Sequence, residues 1–189
     1  MKSRKRNRMK GFDYSSNNLY FVTCCVKNRE CCLGDIVGTG RVGTGRDLSV
    51  QDDYNIPLYQ IILNKLGEIV NNQLLWLSEQ YPYVILHNHI IMPNHIHVVI
   101  EIDSNVVGTG RDLSVQNEIK IKSLSQLMGA FKTTSSKLIH LAGYPLFEWQ
   151  RSFHDHIIRN EKTYLNIMNY ITTNPERWSN DTFNTIKVL

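Results

Sequence analysis

The sequence predicts an α+β fold, a mostly antiparallel sheet with helices packed on one face. Two observations predict it. Aromatic and β-branched runs alternate with segments of helical apolar spacing, in the order strand, helix, strand, strand, helix, strand, helix. The two adjacent strands are joined by Met92-Pro93-Asn94, whose proline and asparagine favour a turn. At 189 residues the chain is long enough for one domain with a substantial core.

The chain opens on a basic arm. Lys2, Arg4, Lys5, Arg6, Arg8 and Lys10 crowd residues 1–12 without apolar periodicity. Such an arm repels itself and is expected to stay mobile until it meets a polyanion, or it serves only as a solubilising tail. "NLYFVTCCV" (residues 18–26) reads as a first strand. Between Leu58 and Gln80, the spacing of Ile61, Ile62, Leu66, Ile69, Val70, Leu74 and Leu77 predicts a long amphipathic helix. "YVILHNHII" and "HIHVVIEI" are the strands on either side of the Pro-Asn turn. Residues 123–142 predict a second helix, with Leu124, Leu127, Met128, Phe131, Leu138 and Leu141 as its apolar side and Ser123 as its cap. "LFEWQRSFHDHIIR" reads as a further extended segment. A third helix is predicted from Glu161 to about Asn174, stopped by Pro175.

A repeat interrupts this order. "VGTGRDLSVQ" occupies residues 42–51 and again, unchanged, residues 107–116; "VGTGR" also stands at residues 37–41. Structural repeats drift in sequence and recur at a regular period, and these do neither. Residues 34–56 and 104–118 are therefore read as surface loops carrying insertions, without chemistry of their own.

Composition narrows the function classes. No apolar run approaches membrane-spanning length and the N-terminus lacks the hydrophobic segment of a signal peptide, so a cytoplasmic location without a membrane partner is expected. Cys24 and Cys25, then Cys31 and Cys32, are adjacent pairs without the two-residue spacer of a zinc-chelating turn, and read as reduced structural thiols. Net charge is +4 and the pI about 8.9, a mild excess that points to a phosphate backbone only if the rest of the chain does.

Four of the seven histidines fall within "HNHIIMPNHIH". Strand side chains two apart point to one face about 6 to 7 Å from each other, so His95 and His97 face one way while Ile96, Val98 and Ile100 face the core. Two imidazoles on one side of a stiff strand can hold a divalent cation; they are also ordinary polar residues of many half-exposed sheets. On the third helix Tyr164, Ile167, Met168 and Ile171 form an apolar stripe, while Tyr170 and Asn174 are stacked at i and i+4 on a polar side. Tyr170 is then a surface tyrosine or a nucleophile beside a metal ligand. A phenol is a poor nucleophile at neutral pH and a phosphodiester repels anions. A divalent ion on the scissile phosphate offsets that repulsion. The parts required are a cation site, a tyrosine and positive charge for the strand, and the chain holds residues for each.

In their order along the chain, "YFVT", "PNHIHVVIE", "WQRSFHDHIIRN" and "YITTNPERW" resemble the HUH single-strand nucleases, specifically the REP-associated tyrosine transposases of the single-tyrosine class. The resemblance spans most of the chain apart from the repeat insertions. It implies a ferredoxin-like sandwich, one transposase domain over residues 1–189, and metal-dependent cleavage and strand transfer of single-stranded DNA at hairpin ends. The tyrosine is left on a 5′-phosphate and a 3′-hydroxyl is released. It places the metal histidines on His95 and His97, the nucleophile on Tyr170 and an amide ligand on Asn174, with Mg2+ or Mn2+ as the ion. Single-stranded or hairpin DNA is the implied partner, held by the arm residues Lys2, Arg4, Lys5, Arg6, Arg8 and Lys10 together with Arg151 and Arg159. The protein is expected as a monomer or homodimer.

Other residues carry weaker expectations. His87 and His89 are read as structural neighbours on one face of their strand, and His154 and His156 as packing or phosphate-contacting groups around Asp155. Trp149 and Trp178 stack on bases or belong to the core and its rim. A non-catalytic DNA hairpin-binding protein is the alternative, and a replication-initiation nuclease a weaker one, because no helicase or ATP-binding segment is present. The repeat suggests a hypothesis. Codons permitted for Gly-Thr-Gly-Arg-Asp-Leu-Ser include GGGACAGGTCGCGACCTGTCC, which from its second base is its own reverse complement; on this hypothesis the peptide is a translated copy of a palindromic element, against the plain alternative of a duplicated linker. Sequencing the gene tests this: codons that spoil the symmetry leave a duplicated linker.

Overall fold

The structure, a computed structural model, describes residues 8–38, 59–108 and 120–184. These contain strands β1 (Asn18–Cys25), β2 (Gly34–Gly38), β3 (Tyr59–Leu63), β4 (Val84–Met92), β5 (His95–Ile102) and β6 (His154–Ile158). The helices are α1 (Lys65–Gln80), α2 (Leu124–Leu141), α3 (Glu161–Thr172) and the short α4 (Asn174–Arg177). The main sheet is antiparallel with the order β4-β5-β1-β6. The connection β1-α1-β4 therefore steps over β5, and β5-α2-β6 steps over β1: two interleaved β-α-β units, the ferredoxin-like arrangement.

Alternation along the central strands decides the layers. Tyr20, Val22 and Cys24 of β1 and Ile96, Val98, Ile100 and Ile102 of β5 are fully buried in one cluster with Leu66, Val70, Leu74 and Leu77 of α1 and Leu124, Leu127, Met128 and Phe131 of α2. Both helices start where the sequence supplies a cap. Asn64 accepts from the amides of Leu66 and Gly67, and Ser123 forms a reciprocal capping box with Gln126. Gly67 admits no side chain, because a Cβ there would lie 2.0 Å from the Leu33 carbonyl oxygen.

Several expectations need correction. The helical spacing that begins at Ile61 misleads: Tyr59–Leu63 is a strand, paired with Gly34–Gly38 in a separate ribbon, and the helix begins only after the Asn64 cap. Residues 34–38 thus belong to regular structure, not to an inserted loop. Ile61 and Ile62 are β-branched, which favours the strand, and their partners lie far back in the sequence, where periodicity cannot reveal them. The two long helices share one face as expected, whereas α3 covers the opposite face, over Val99 and Ile158. Of residues 146–159 only His154–Ile158 is a strand, with one further bridge between Val26 and Trp149. The end of the arm is docked: Phe12 packs edge-on against Tyr14, and the Met9 amide donates to the Tyr14 hydroxyl at 3.1 Å. Residues 1–7, with Lys2, Arg4, Lys5 and Arg6, lie outside the described residues, as do the repeat copy at 42–51 and all but Val107 and Gly108 of the second copy. No helix of the described residues is long and apolar enough to cross a membrane.

Candidate functional site

The register of β5 that buries Ile96 and Val98 against α1 and α2 turns His95 and His97 to the other face. There they are 0% and 1% exposed, with their Nε2 atoms 3.1 Å apart. Their neighbours govern which nitrogen carries a proton. The Asn94 amide nitrogen donates to the carbonyls of Arg29 at 3.0 Å and Phe183 at 2.7 Å, which leaves its oxygen to accept from His95 Nδ1 at 2.8 Å. His95 therefore holds its proton on Nδ1 and presents a lone pair at Nε2. Thr23, directly opposite His97 on β1, lies 2.8 Å from His97 Nδ1, and its hydroxyl either donates or accepts. Burial, then the charges of His97 and Arg29, pushes His95 down to about 2, and burial pushes His97 down to about 3. Both rings are neutral at physiological pH, the state that ligates metals.

Tyr170 faces this pair rather than a separate polar side. Three residues after Ile167 and one before Ile171, it flanks the apolar stripe, and its large ring reaches inward from there. The ring sits 5.2 Å from that of His97 and edge-on to Phe21, and the hydroxyl is 3.3 Å from His97 Nε2. Burial, then the Asp181 carboxylate, raises its pKa, while the Asn174 amide and Arg177 act the other way. Asn174 opens α4, with Pro175 in the first turn where its missing amide proton costs nothing. Its side chain is fully buried. Although close enough to Tyr170 to affect its ionisation, neither its oxygen nor its nitrogen finds a hydrogen-bond partner.

These atoms fit a cation. The His95 lone pair, His97 Nε2, the Tyr170 hydroxyl and the orphaned Asn174 amide offer more acceptors than there are protons to satisfy them. Two imidazole nitrogens and an amide oxygen form a donor set for a divalent ion. No three His, Cys, Asp or Glu side chains among the described residues come together as a metal group, and the unpartnered Asn174 amide is the candidate for a third protein donor. Asn94 and Thr23 were not expected in the site. Both lie inside the sequence motifs, but their partners, His97 for Thr23 and Arg29 and Phe183 for Asn94, are distant in the chain. The same holds for Phe183, whose ring lies 4.6 Å from that of His95.

The other candidates scatter. His87 and His89 do not share a face, because a bulge between Leu86 and Asn88 breaks the period of two. His87 bonds Glu101 at 2.6 Å and Tyr164 of α3 at 3.0 Å, whereas His89 bonds Asn71 of α1 at 2.8 Å. His154 and His156 are exposed on β6. Trp149 is core and donates to Ser135 at 3.0 Å; Trp178 lies near His95. Arg151 and Arg159 are exposed, and Arg159 borders two adjoining cavities. Arg8 is turned toward Asp155, and Lys10 is exposed. All four cysteines are free thiols.

Topology and site together define a four-stranded antiparallel domain of transposase-like fold, with a buried histidine pair facing a helix-borne tyrosine. The chain belongs to the family of a Haemophilus influenzae protein of uncharacterised function, to which it is 32% identical over 185 residues, 94% of this chain and 91% of that one. No family model matches it. Among solved structures, a REP-associated tyrosine transposase bound to a REP hairpin superposes with a TM-score of 0.54 and 16% identity, over 92% of this chain and 74% of that one. At that identity the likeness establishes the fold. A second structure, from Deinococcus radiodurans, aligns at a TM-score of 0.42 and 17% identity, over 87% of this chain and 96% of that one.

Proposed function

We propose that the protein is a metal-dependent single-strand DNA endonuclease and strand transferase that acts on hairpin elements through a 5′-phosphotyrosine intermediate. One observation carries this reading: the Tyr170 hydroxyl stands 3.3 Å from a nitrogen of the neutral, buried histidine pair. The fold shared with a transposase captured on a REP hairpin supports the same substrate class. Tyr170 Oη forms a bond to phosphorus as the bond from phosphorus to the 3′-oxygen breaks; the 3′-oxygen leaves as a hydroxyl and the phenol gives up its proton. Burial keeps the phenol protonated and slow to react in the resting site. Asn94 and Thr23 hold the imidazoles in the ligating orientation. His95, His97 and Asn174 would hold Mg2+ or Mn2+, which supplies charge neutralisation at the scissile phosphate. Arg8, Lys10, Arg151 and Arg159, with the basic residues of the arm, hold the strand by its phosphates. Action on hairpin DNA accords with a cytoplasmic location.

A second reading has its own observation. The pair is buried beneath Phe183 and near Trp178, as a hairpin-binding protein without catalysis would permit. Incubating the purified protein with a labelled hairpin oligonucleotide and Mn2+ or Mg2+, then denaturing it, separates the two. A protein–DNA adduct with a free 3′-hydroxyl product is expected. Tight binding without an adduct in either metal would favour the second reading.

A further inference from the structure

The open edge of the sheet carries a group that the histidine site does not use. Asp155 stands at the centre of β6, the edge strand, opposite Val22 of β1, so its side chain points away from the face that bears the histidines. The carboxylate is 2% exposed; the Tyr14 hydroxyl interacts with it, yet its Oδ1 has no hydrogen-bond partner. Its ion-pair partner, Arg8, approaches only to 3.9 Å, beyond hydrogen-bond distance. The Arg8 guanidinium lies over the Phe153 ring at 4.7 Å and is 42% exposed. A buried carboxylate oxygen left in this state is costly unless a ligand completes it. Asp155 lines a cavity of about 340 Å³, whose walls include Met9, Tyr14, His156, Arg159 and Asn160.

We propose that this cavity takes an unstacked guanine of the bound strand, with Asp155 accepting from the Watson–Crick edge of the base. This rests on the reading of the protein as a DNA-processing enzyme. The chemistry selects the base. An ionised carboxylate only accepts hydrogen bonds, and guanine alone presents two adjacent donors, N1–H and N2–H, on that edge. Cytosine and adenine offer one each, and the single donor of thymine is flanked by carbonyls that repel the carboxylate. Tyr14 and Met9 supply an apolar wall, and Arg159 stands at the rim, where the phosphate of the same nucleotide would lie. β6 is two strands from β5, about 10 Å across the sheet, so one strand of DNA spans both places. Arg8, a residue of the basic arm, faces Asp155 across 3.9 Å and is 42% exposed, so it can exchange the carboxylate for a phosphate.

Fluorescence anisotropy with the full chain, in chelator so that nothing is cut, tests this. The probe is a hairpin oligonucleotide with single-stranded thymine flanks, through which one guanine is walked position by position. At one position guanine should tighten binding about tenfold. O6-methylguanine, which lacks N1–H, should lose that gain, and 7-deazaguanine, whose Watson–Crick edge is intact, should keep it. Asp155→Asn should erase the preference, read as the ratio of affinities for the best guanine position and the all-thymine probe on the same protein. Equal binding at every position, a preference that survives Asp155→Asn, or equal loss with both modified bases overturns the pocket while leaving the DNA reading intact. Should the variant not fold, the two modified bases decide the matter on the parent protein. Failure to bind any hairpin removes the DNA reading, and this inference with it.

Discussion

The two faces of the main sheet are built from the same strands and finished differently. On one, β1 and β5 meet α1 and α2 in a continuous apolar cluster with hydrogen-bonded polar groups such as Ser135 and the helix caps, the Asp155 carboxylate at the sheet edge being the exception. On the other, α3 covers a small cluster of Val99, Ile158 and Ile171, and the remaining space goes to His95, His97, Tyr170 and Asn174. Each buried polar group without a partner costs roughly 1–3 kcal/mol, an amount a single well-packed leucine on the first face offsets. The period of two along β5 makes this division of labour possible, because neighbouring residues serve opposite faces.

The largest expected separation between the faces is chemical. Tyr170→Phe should lower adduct formation on the order of 10⁴-fold or more, while hairpin affinity stays close to the parent value. Persistent cleavage in that variant, followed on a sequencing gel, would refute the assignment. The mirror experiment is on the other face. Leu127→Ala should cost about 2–5 kcal/mol in urea denaturation, yet leave adduct yield per folded molecule unchanged. A loss of chemistry equal to that of Tyr170→Phe would show that the two faces are not independent.

Acid should act most strongly on the histidine face, with a smaller part from His89, which burial against α1 also holds below its usual range. His95 and His97 are held neutral in the folded state, at about 2 and about 3, whereas both titrate near 6.5 once unfolded. Below 6.5 the unfolded chain binds protons that the folded chain does not. Metal-free stability should therefore fall as pH drops from 6.5 toward 3, by about 1.4 kcal/mol per pH unit for each histidine. Urea midpoints in chelator at pH 7, 6 and 5 measure it, and a flat profile would mean that the rings are already charged or open to water.

The two faces also differed in how far the sequence revealed them. The β4–β5 hairpin and α2 were legible because their signals are local: a Pro-Asn turn in one, and an N-cap with a clean apolar stripe in the other. The shared side of His95 and His97 followed from strand period alone. The β2–β3 ribbon was not legible, because it depends on pairing across residues 39–58 while its isoleucines mimic the start of the α1 stripe. The bulge at His87 shifts a face by one residue without any change in composition. Helical spacing puts Tyr170 on the polar side, yet a helix on a sheet buries its flanks as well as its central stripe, and the ring turns inward. The partners of Asn94, and the lack of any at Asp155, are tertiary facts that no spacing encodes.

The smallest effect tests whether the histidine face is organised beyond its ligands. Asn94 touches no reacting atom; its two carbonyl partners fix its oxygen on His95 Nδ1, and that fixes the lone pair at Nε2. Asn94→Ala removes the acceptor and frees the ring to turn or change tautomer. Mn2+ affinity, followed by electron paramagnetic resonance of the free ion, should weaken about 10- to 100-fold. Asn94→Asp keeps an acceptor for Nδ1 but gives up the donation to Arg29 and Phe183, so it should recover metal affinity in part while lowering thermal stability. If alanine and aspartate weaken Mn2+ binding equally, Asn94 acts only by bracing the turn, and the ligating lone pair is set elsewhere.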